Sequence, residues 1–135
     1  NTLTIVSSAG SITLTNAGNT ITNLGSVTRA GAFSLTDSAG GLTLTGSVSN
    51  AAAGGVTIST TGGALALGAN SITTTGASNV SLTGLGVTQA AGSTVNAGSG
   101  TILVDGTASA INLAGTLTTT NNTATITARV NSRNK

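Results

Sequence analysis

Residues 32–46 read AFSLTDSAGGLTLTG. The stretch contains two short alternating runs. Phe33 and Leu35 flank Ser34, and Leu42 and Leu44 flank Thr43. A side-chain period of two marks a strand with one buried face. Residues 37–41 join the runs with Asp, Ser and Gly, all turn formers, and Gly46 closes the second run.

The same unit recurs along the whole chain. Pairs of apolar residues at i and i+2 form a first column: Ile12/Leu14, Phe33/Leu35, Val56/Ile58, Val80/Leu82, Ile102/Val104 and Ala124/Ile126. A second column reads Ile21/Asn23, Leu42/Leu44, Leu65/Leu67, Val87/Gln89 and Ile111/Leu113. A third has one inward residue per rung: Ile5, Val27, Val48, Ile72, Val95 and Leu117. Steps in the first and third columns run from 21 to 24 residues. A meander of hairpins also alternates, but it has no reason to hold a common period. Columns in step mean a solenoid whose short strands stack rung on rung, about 4.8 Å apart. The expected fold is all-β, a right-handed parallel β-helix of about six rungs, about 22 residues and three short strands each.

Residues 1–128 read as a single solenoid segment without caps, and residues 129–135 as a basic tail. Gly25, Gly46, Gly68, Gly92 and Gly115 recur between the second and third columns, where a corner with positive φ is expected. Gly40–Gly41, Gly54–Gly55 and Gly62–Gly63 mark other corners, and residues 50–55 form a long one. Asn23 and Gln89 fall in inward slots. Either a bulge or a buried amide bonded to backbone resolves each, and at Asn23 the bulge would turn Leu24 inward.

Composition narrows the function classes. Charged residues are 4% of the chain, against about 25% in ordinary domains. Arg129, Arg133 and Lys135 crowd the end, while the body sets Arg29 against Asp37 and Asp105. No basic surface remains to neutralise phosphates, so no nucleic-acid partner is expected. No apolar run approaches the roughly 18 residues of a membrane helix. The aromatic girdles of an outer-membrane barrel are missing, because Phe33 is the sole aromatic; no membrane insertion is expected. The absence of Met predicts a processed chain or a piece of a longer one. The uncapped ends predict either more rungs on both sides in a longer parent or self-association by end-to-end stacking of copies.

Parallel β-helices include polysaccharide lyases and hydrolases. Here the only carboxylates, Asp37 and Asp105, lie 68 residues apart. That is about three rungs, or roughly 14 Å, against about 5–9.5 Å for a glycosidase pair. The chain has no His, Cys or Tyr for acid–base or nucleophilic work. Both aspartates read as turn residues, Asp37 accepting backbone N–H bonds and Asp105-Gly106 signalling a turn. The chain is read as non-enzymatic, with no catalytic, cofactor-binding or metal-binding residue assigned and no cofactor. Asn79-Val80-Ser81 and Asn121-Asn122-Thr123 match the glycosylation sequon, a frequent coincidence in so Asn-, Ser- and Thr-rich a chain.

Outward positions form hydroxyl files. Beside the third column stand Thr4, Ser26, Ser47, Ser71, Thr94 and Thr116, and on its other side Val6, Thr28, Ser49, Thr73, Asn96 and Thr118. The first column carries Thr13/Thr15, Ser34/Thr36, Thr57/Ser59, Ser81/Thr83, then Leu103/Asp105, then Thr125/Thr127. Such arrays resemble those of some ice-binding β-solenoids. The plainer account is that Ser and Thr suit exposed strand positions.

The phrases GSITLTNAGNTITNLGSVT (residues 10–28), GAFSLTDSAGGLTLTGSVS (31–49) and NAGSGTILVDGTASAINLAGTLTTTNNTATITA (96–128) resemble the repeat region of filamentous-haemagglutinin-like exoproteins. These are large bacterial adhesins exported by two-partner secretion and related autotransporter routes. The resemblance implies a β-helical shaft, secreted or on the bacterial cell surface, with roles in adhesion and biofilm. Host or cell-surface receptors would be met by regions outside this segment. The proline-containing motifs of the secretion domain are absent, since the chain has no Pro. The expected function is therefore a non-catalytic shaft segment. The alternatives are a self-assembling extracellular fibre subunit and an ice-binding module.

Overall fold

A computed structural model describes residues 1–6, 9–51, 54–120 and 122–129, and these form sixteen strands and no helix. In chain order the strands are β1 (Thr2–Val6), β2 (Ile12–Leu14), β3 (Asn23–Arg29), β4 (Phe33–Asp37), β5 (Leu42–Leu44) and β6 (Val48–Asn50). They continue with β7 (Val56–Thr60), β8 (Leu65–Ala66), β9 (Ile72–Thr74), β10 (Val80–Gly84) and β11 (Val87–Gln89). The last are β12 (Thr94–Asn96), β13 (Ile102–Gly106), β14 (Ile111–Leu113), β15 (Thr116–Thr118) and β16 (Ala124–Ala128).

Apolar pairs at i and i+2 need cover on one face, and coiling the chain gives each strand its own equivalent as neighbour. The first column becomes one six-stranded parallel sheet, ordered β2-β4-β7-β10-β13-β16. Its register follows the repeat residue for residue. Ile12 pairs with Phe33, Phe33 with Val56, Val56 with Val80, Val80 with Ile102 and Ile102 with Ala124. Amides at the strand starts point forward, whereas those just past the strand ends, Thr61 to Asp37, Leu85 to Gly63 and Thr107 to Gly84, donate backward. The N–H groups of Ile12, Phe33, Val56, Val80 and Ile102 each donate to a carbonyl of the next rung: Ala32, Gly55, Asn79, Thr101 and Thr123, at 2.8–3.1 Å. The result is a β-solenoid of about six turns with about 22 residues per turn.

The other columns share a ten-stranded sheet, ordered β14-β11-β8-β5-β3-β6-β9-β12-β15 with β1 also on β3. The expected corner between them is missing in the first two passes. β3 runs through it as one strand, Leu24 pairing with Leu44 in β5 and Val27 with Val48 in β6. β1 spans the same two columns, with Leu3 on Leu24 and Ile5 on Val27. Separate strands appear only from β5 and β6 onward, so three strands per rung describes the later turns.

Every described inward aliphatic residue in the middle rungs is sealed, and Phe33 is fully buried. The two polar inward slots resolve differently. Asn23 lies opposite Thr43 and Leu24 opposite Leu44, so Leu24 takes the inward slot and is completely buried, and the bulge comes after it, between Leu24 and Val27 in the pairing with β1. Gln89 instead stays inward at 3% exposure, its Nε2 donating to the carbonyls of Ser93 and Thr116 at 3.3 and 3.4 Å.

The glycine expectation holds in part. Gly68 and Gly92 adopt φ of +58° and +84°. Gly25, Gly46 and Gly115 do not have positive φ; they are needed for closeness between rungs. A Cβ on Gly25 would lie 2.5 Å from Thr4 Oγ1, one on Gly46 would strike the Ser26 amide, and one on Gly115 would lie 2.5 Å from the Ser93 carbonyl. Asp105 and Gly106 are a second correction. Both lie inside β13, paired with Thr83 and Gly84, and the turn comes after them.

Candidate functional site

The outward side chains of the six-stranded sheet form two files. One runs Thr13, Ser34, Thr57, Ser81, Leu103, Thr125 and the other Thr36, Ser59, Thr83, Asp105, Thr127, each member paired in register with the next. Parallel pairing sets neighbours in a file about 4.8 Å apart. Leu103, at 38% exposure, and Asp105 interrupt both files on the same strand, β13.

Beside the third column, hydroxyls of one file are drawn into the contacts between rungs. Ser47 Oγ accepts the Ser71 amide and Ser71 Oγ accepts the Thr94 amide, both at 3.1 Å. Ser11 Oγ does the same for Ala32 at 3.2 Å, and Asn79 Oδ1 for Thr101 at 2.9 Å. Each satisfies an amide one rung ahead, at the first residue of a strand or just before it. Asn79, the first residue of the described sequon, is thus occupied in joining rungs. The sequon beginning at Asn121 and the tail from residue 130 lie outside the described residues, as do residues 52 and 53 of the long corner.

The interior holds polar positions that the sequence reading missed. The third column has a second inward slot two residues after its aliphatic member, filled by Arg29, Asn50 and Thr74, paired in register. All three are buried, at 3%, 1% and 2% exposure. Their side chains serve the carbonyls of the turning chain. Arg29 Nη2 donates to Ala9 and Gly10, Asn50 Nδ2 to Gly54, and Thr74 Oγ1 to Ser78 and Asn96. The signal was present, since 29, 50 and 74 keep step with Val27, Val48 and Ile72. Polarity hid it.

Asp37 ends β4 and is fully buried. Its Oδ1 accepts the amide of Ile21, one rung back, at 2.6 Å, and its Oδ2 accepts Ala39 at 3.0 Å. The expected role as an acceptor at a turn therefore holds. Asn19 Nδ2 binds Leu14 and Thr36 carbonyls at 2.8 and 3.0 Å, and Asn70 Nδ2 binds Leu44 at 2.7 Å, so these amides also bridge successive rungs. Asp105 sits on the outer face with Arg129 Nη2 at 2.8 Å from Oδ2. The Arg129 amide donates to Gly106 at 2.7 Å, which continues the pairing of β16 on β13 by one residue.

The sheet does not bring the two carboxylates together. Asp37 is on β4 and Asp105 on β13, three strand steps apart, roughly 14 Å. Strand parity sends Asp37 inward and Asp105 outward. No pocket opens among the described residues, and no group of three or more His, Cys, Asp or Glu gathers there. No helix of the described residues is long and apolar enough to cross a membrane. No protein family, curated protein or solved structure matches the chain.

Proposed function

We propose that this chain is a non-catalytic shaft segment of a secreted or surface-exposed bacterial adhesin, one that holds binding parts located elsewhere at a fixed distance. The observation that carries this reading is the unbroken register of β2, β4, β7, β10, β13 and β16. A sheet that keeps step over all its strands is an element of length, and its five steps span roughly 24 Å. Apart from Leu103 and the Asp105–Arg129 ion pair on its last turns, its outer face carries hydroxyls, which solvate a long surface without building a repulsive field. The resemblance of the repeats to filamentous-haemagglutinin-like exoproteins supplies the adhesin and its place outside the cell. Both carboxylates are engaged in holding rungs together, which supports a structural role over a catalytic one.

Two measurements test the proposal. Spin labels on Ser34→Cys and Thr125→Cys, in labelled chain diluted with unlabelled chain, should give one narrow distance corresponding to four strand steps, roughly 19 Å between backbones. A broad distribution would remove the rigid spacer. Beads coated with the chain should adhere to cells no better than bare beads. Adhesion above that background would place binding within the chain and overturn the shaft reading.

A further inference from the structure

We propose that the outer face of β2, β4, β7 and β10 binds ice, its two hydroxyl files taking the places of water oxygens at the front of the crystal. The inference rests on this one face and stands apart from the adhesin reading. Between β2 and β10 every member of both files is a serine or a threonine, paired in register with the next. Thr13 and Thr57 are exposed and the others half-buried. Elsewhere hydroxyls are spent on the protein itself, as at Ser47 and Ser71 beside the third column. No hydroxyl of these two files between β2 and β10 has a protein partner among the described residues.

Spacing identifies the occupant. Neighbours in a file stand about 4.8 Å apart, too far for a direct O–H···O bond of roughly 2.8 Å, so water has to bridge them. Two bonds of about 2.8 Å that meet at a water oxygen with the tetrahedral angle span about 4.6 Å between their far ends. That is the separation of second-neighbour oxygens in ice, and it matches the rung spacing to about 0.2 Å. The register repeats the match from β2 to β10, over roughly 14 Å. The second file, two residues along each strand and so about 6.7 Å away, extends the match into a plane. Each hydroxyl both donates and accepts, so it can replace a lattice water in either role. Charge and aromatic content agree. Asp37 is the one charged residue on these four strands, and it is turned inward and fully buried. The face is therefore as uncharged as the crystal, and an ionic partner finds no counter-charge on it. A sugar surface would need aromatic platforms, and Phe33, the sole aromatic, is fully buried. The face stops at β13, where Leu103 and the Asp105–Arg129 pair break both files.

Single ice crystals held in a solution of the purified chain in a nanolitre osmometer should grow flat facets. Their freezing point should fall below their melting point, by a gap that widens with concentration. Thr57→Lys sets a charge in the middle of one file and should abolish the gap while the β spectrum by circular dichroism stays unchanged. Thr43→Lys, at an exposed position on the other sheet, should keep both the gap and the spectrum. Rounded crystals with no gap at any concentration would overturn the inference. So would a gap that survives Thr57→Lys with the spectrum unchanged, or one that Thr43→Lys abolishes equally. Retention of the chain on crystalline cellulose with no effect on ice would overturn it in favour of a polysaccharide partner.

Discussion

β10 and β16 carry the same pattern, Val80-Ser81-Leu82 in one and Ala124-Thr125-Ile126 in the other, and they lie in the same sheet. Leu82 is fully buried, whereas Ile126 is 52% exposed. The two strands differ in their neighbours. β10 lies between β7 and β13, and among the described strands β16 has β13 alone. Alternation decides which face of a strand turns inward, and the rungs above and below decide how far that face is shut from water. The second and third columns repeat the contrast, with Val87 and Val95 sealed but Ile111, Leu113 and Leu117 half-buried. One inward residue is therefore worth different amounts along the coil. Full burial of an aliphatic side chain contributes about 1.5–3 kcal/mol, and half-cover contributes correspondingly less.

Charge insertion should separate the two regions most sharply. Leu44→Asp puts an uncompensated carboxylate into a position 2% exposed, and should abolish the β spectrum at room temperature by circular dichroism. Ile126→Asp should leave it in place, as should Thr43→Asp on the outer face. Equal effects of Leu44→Asp and Thr43→Asp would invalidate the assignment of faces. Truncation comes next. Ile58→Ala should cost about 2–5 kcal/mol in denaturant unfolding and Ile126→Ala less than about 1 kcal/mol. If the two costs match, cover by neighbouring rungs is not what sets stability.

Backbone closeness offers a subtler comparison. A Cβ on Gly63 would strike the Gly40 carbonyl and lie 2.6 Å from the Gly41 amide, whereas one on Gly40 meets nothing within 4 Å. Gly63→Ala should therefore lower stability by about 1–3 kcal/mol, and Gly40→Ala should stay within about 0.5 kcal/mol. The smallest effect belongs to the ion pair of the last turn. The Arg129 side chain is 63% exposed, so Arg129→Ala should cost about 0.2–1 kcal/mol, and less in high salt. Thermal melts at two ionic strengths measure both.

The sequence carried the columns well because their signal is apolar and periodic. All six members of the first column, and all six of the third, appear in the register expected of them. Three things stayed hidden, each for a physical reason. The continuity of β3 through Gly25 depends on backbone pairing, which residue type does not encode. The stack of Arg29, Asn50 and Thr74 looks like surface when hydropathy is the guide, because its burial is justified by carbonyls and not by apolar neighbours. Gly25, Gly46 and Gly115 repeat for closeness between rungs, and a periodic glycine looks the same whether space or φ requires it. As for the outer face, the two hydroxyl files were legible by parity. The capture of Ser47 and Ser71 by amides of the next rung was not, since it depends on where each strand begins.

The forward-pointing amides of the six-stranded sheet have a mechanical consequence. Because each donates to the rung ahead, the hydrogen bonds between rungs lie along the axis of the coil. Tension applied along that axis reaches the rungs in series, and every rung must withstand the whole of it. Added rungs lengthen the coil without strengthening it, and it yields first at the turn with the least cover.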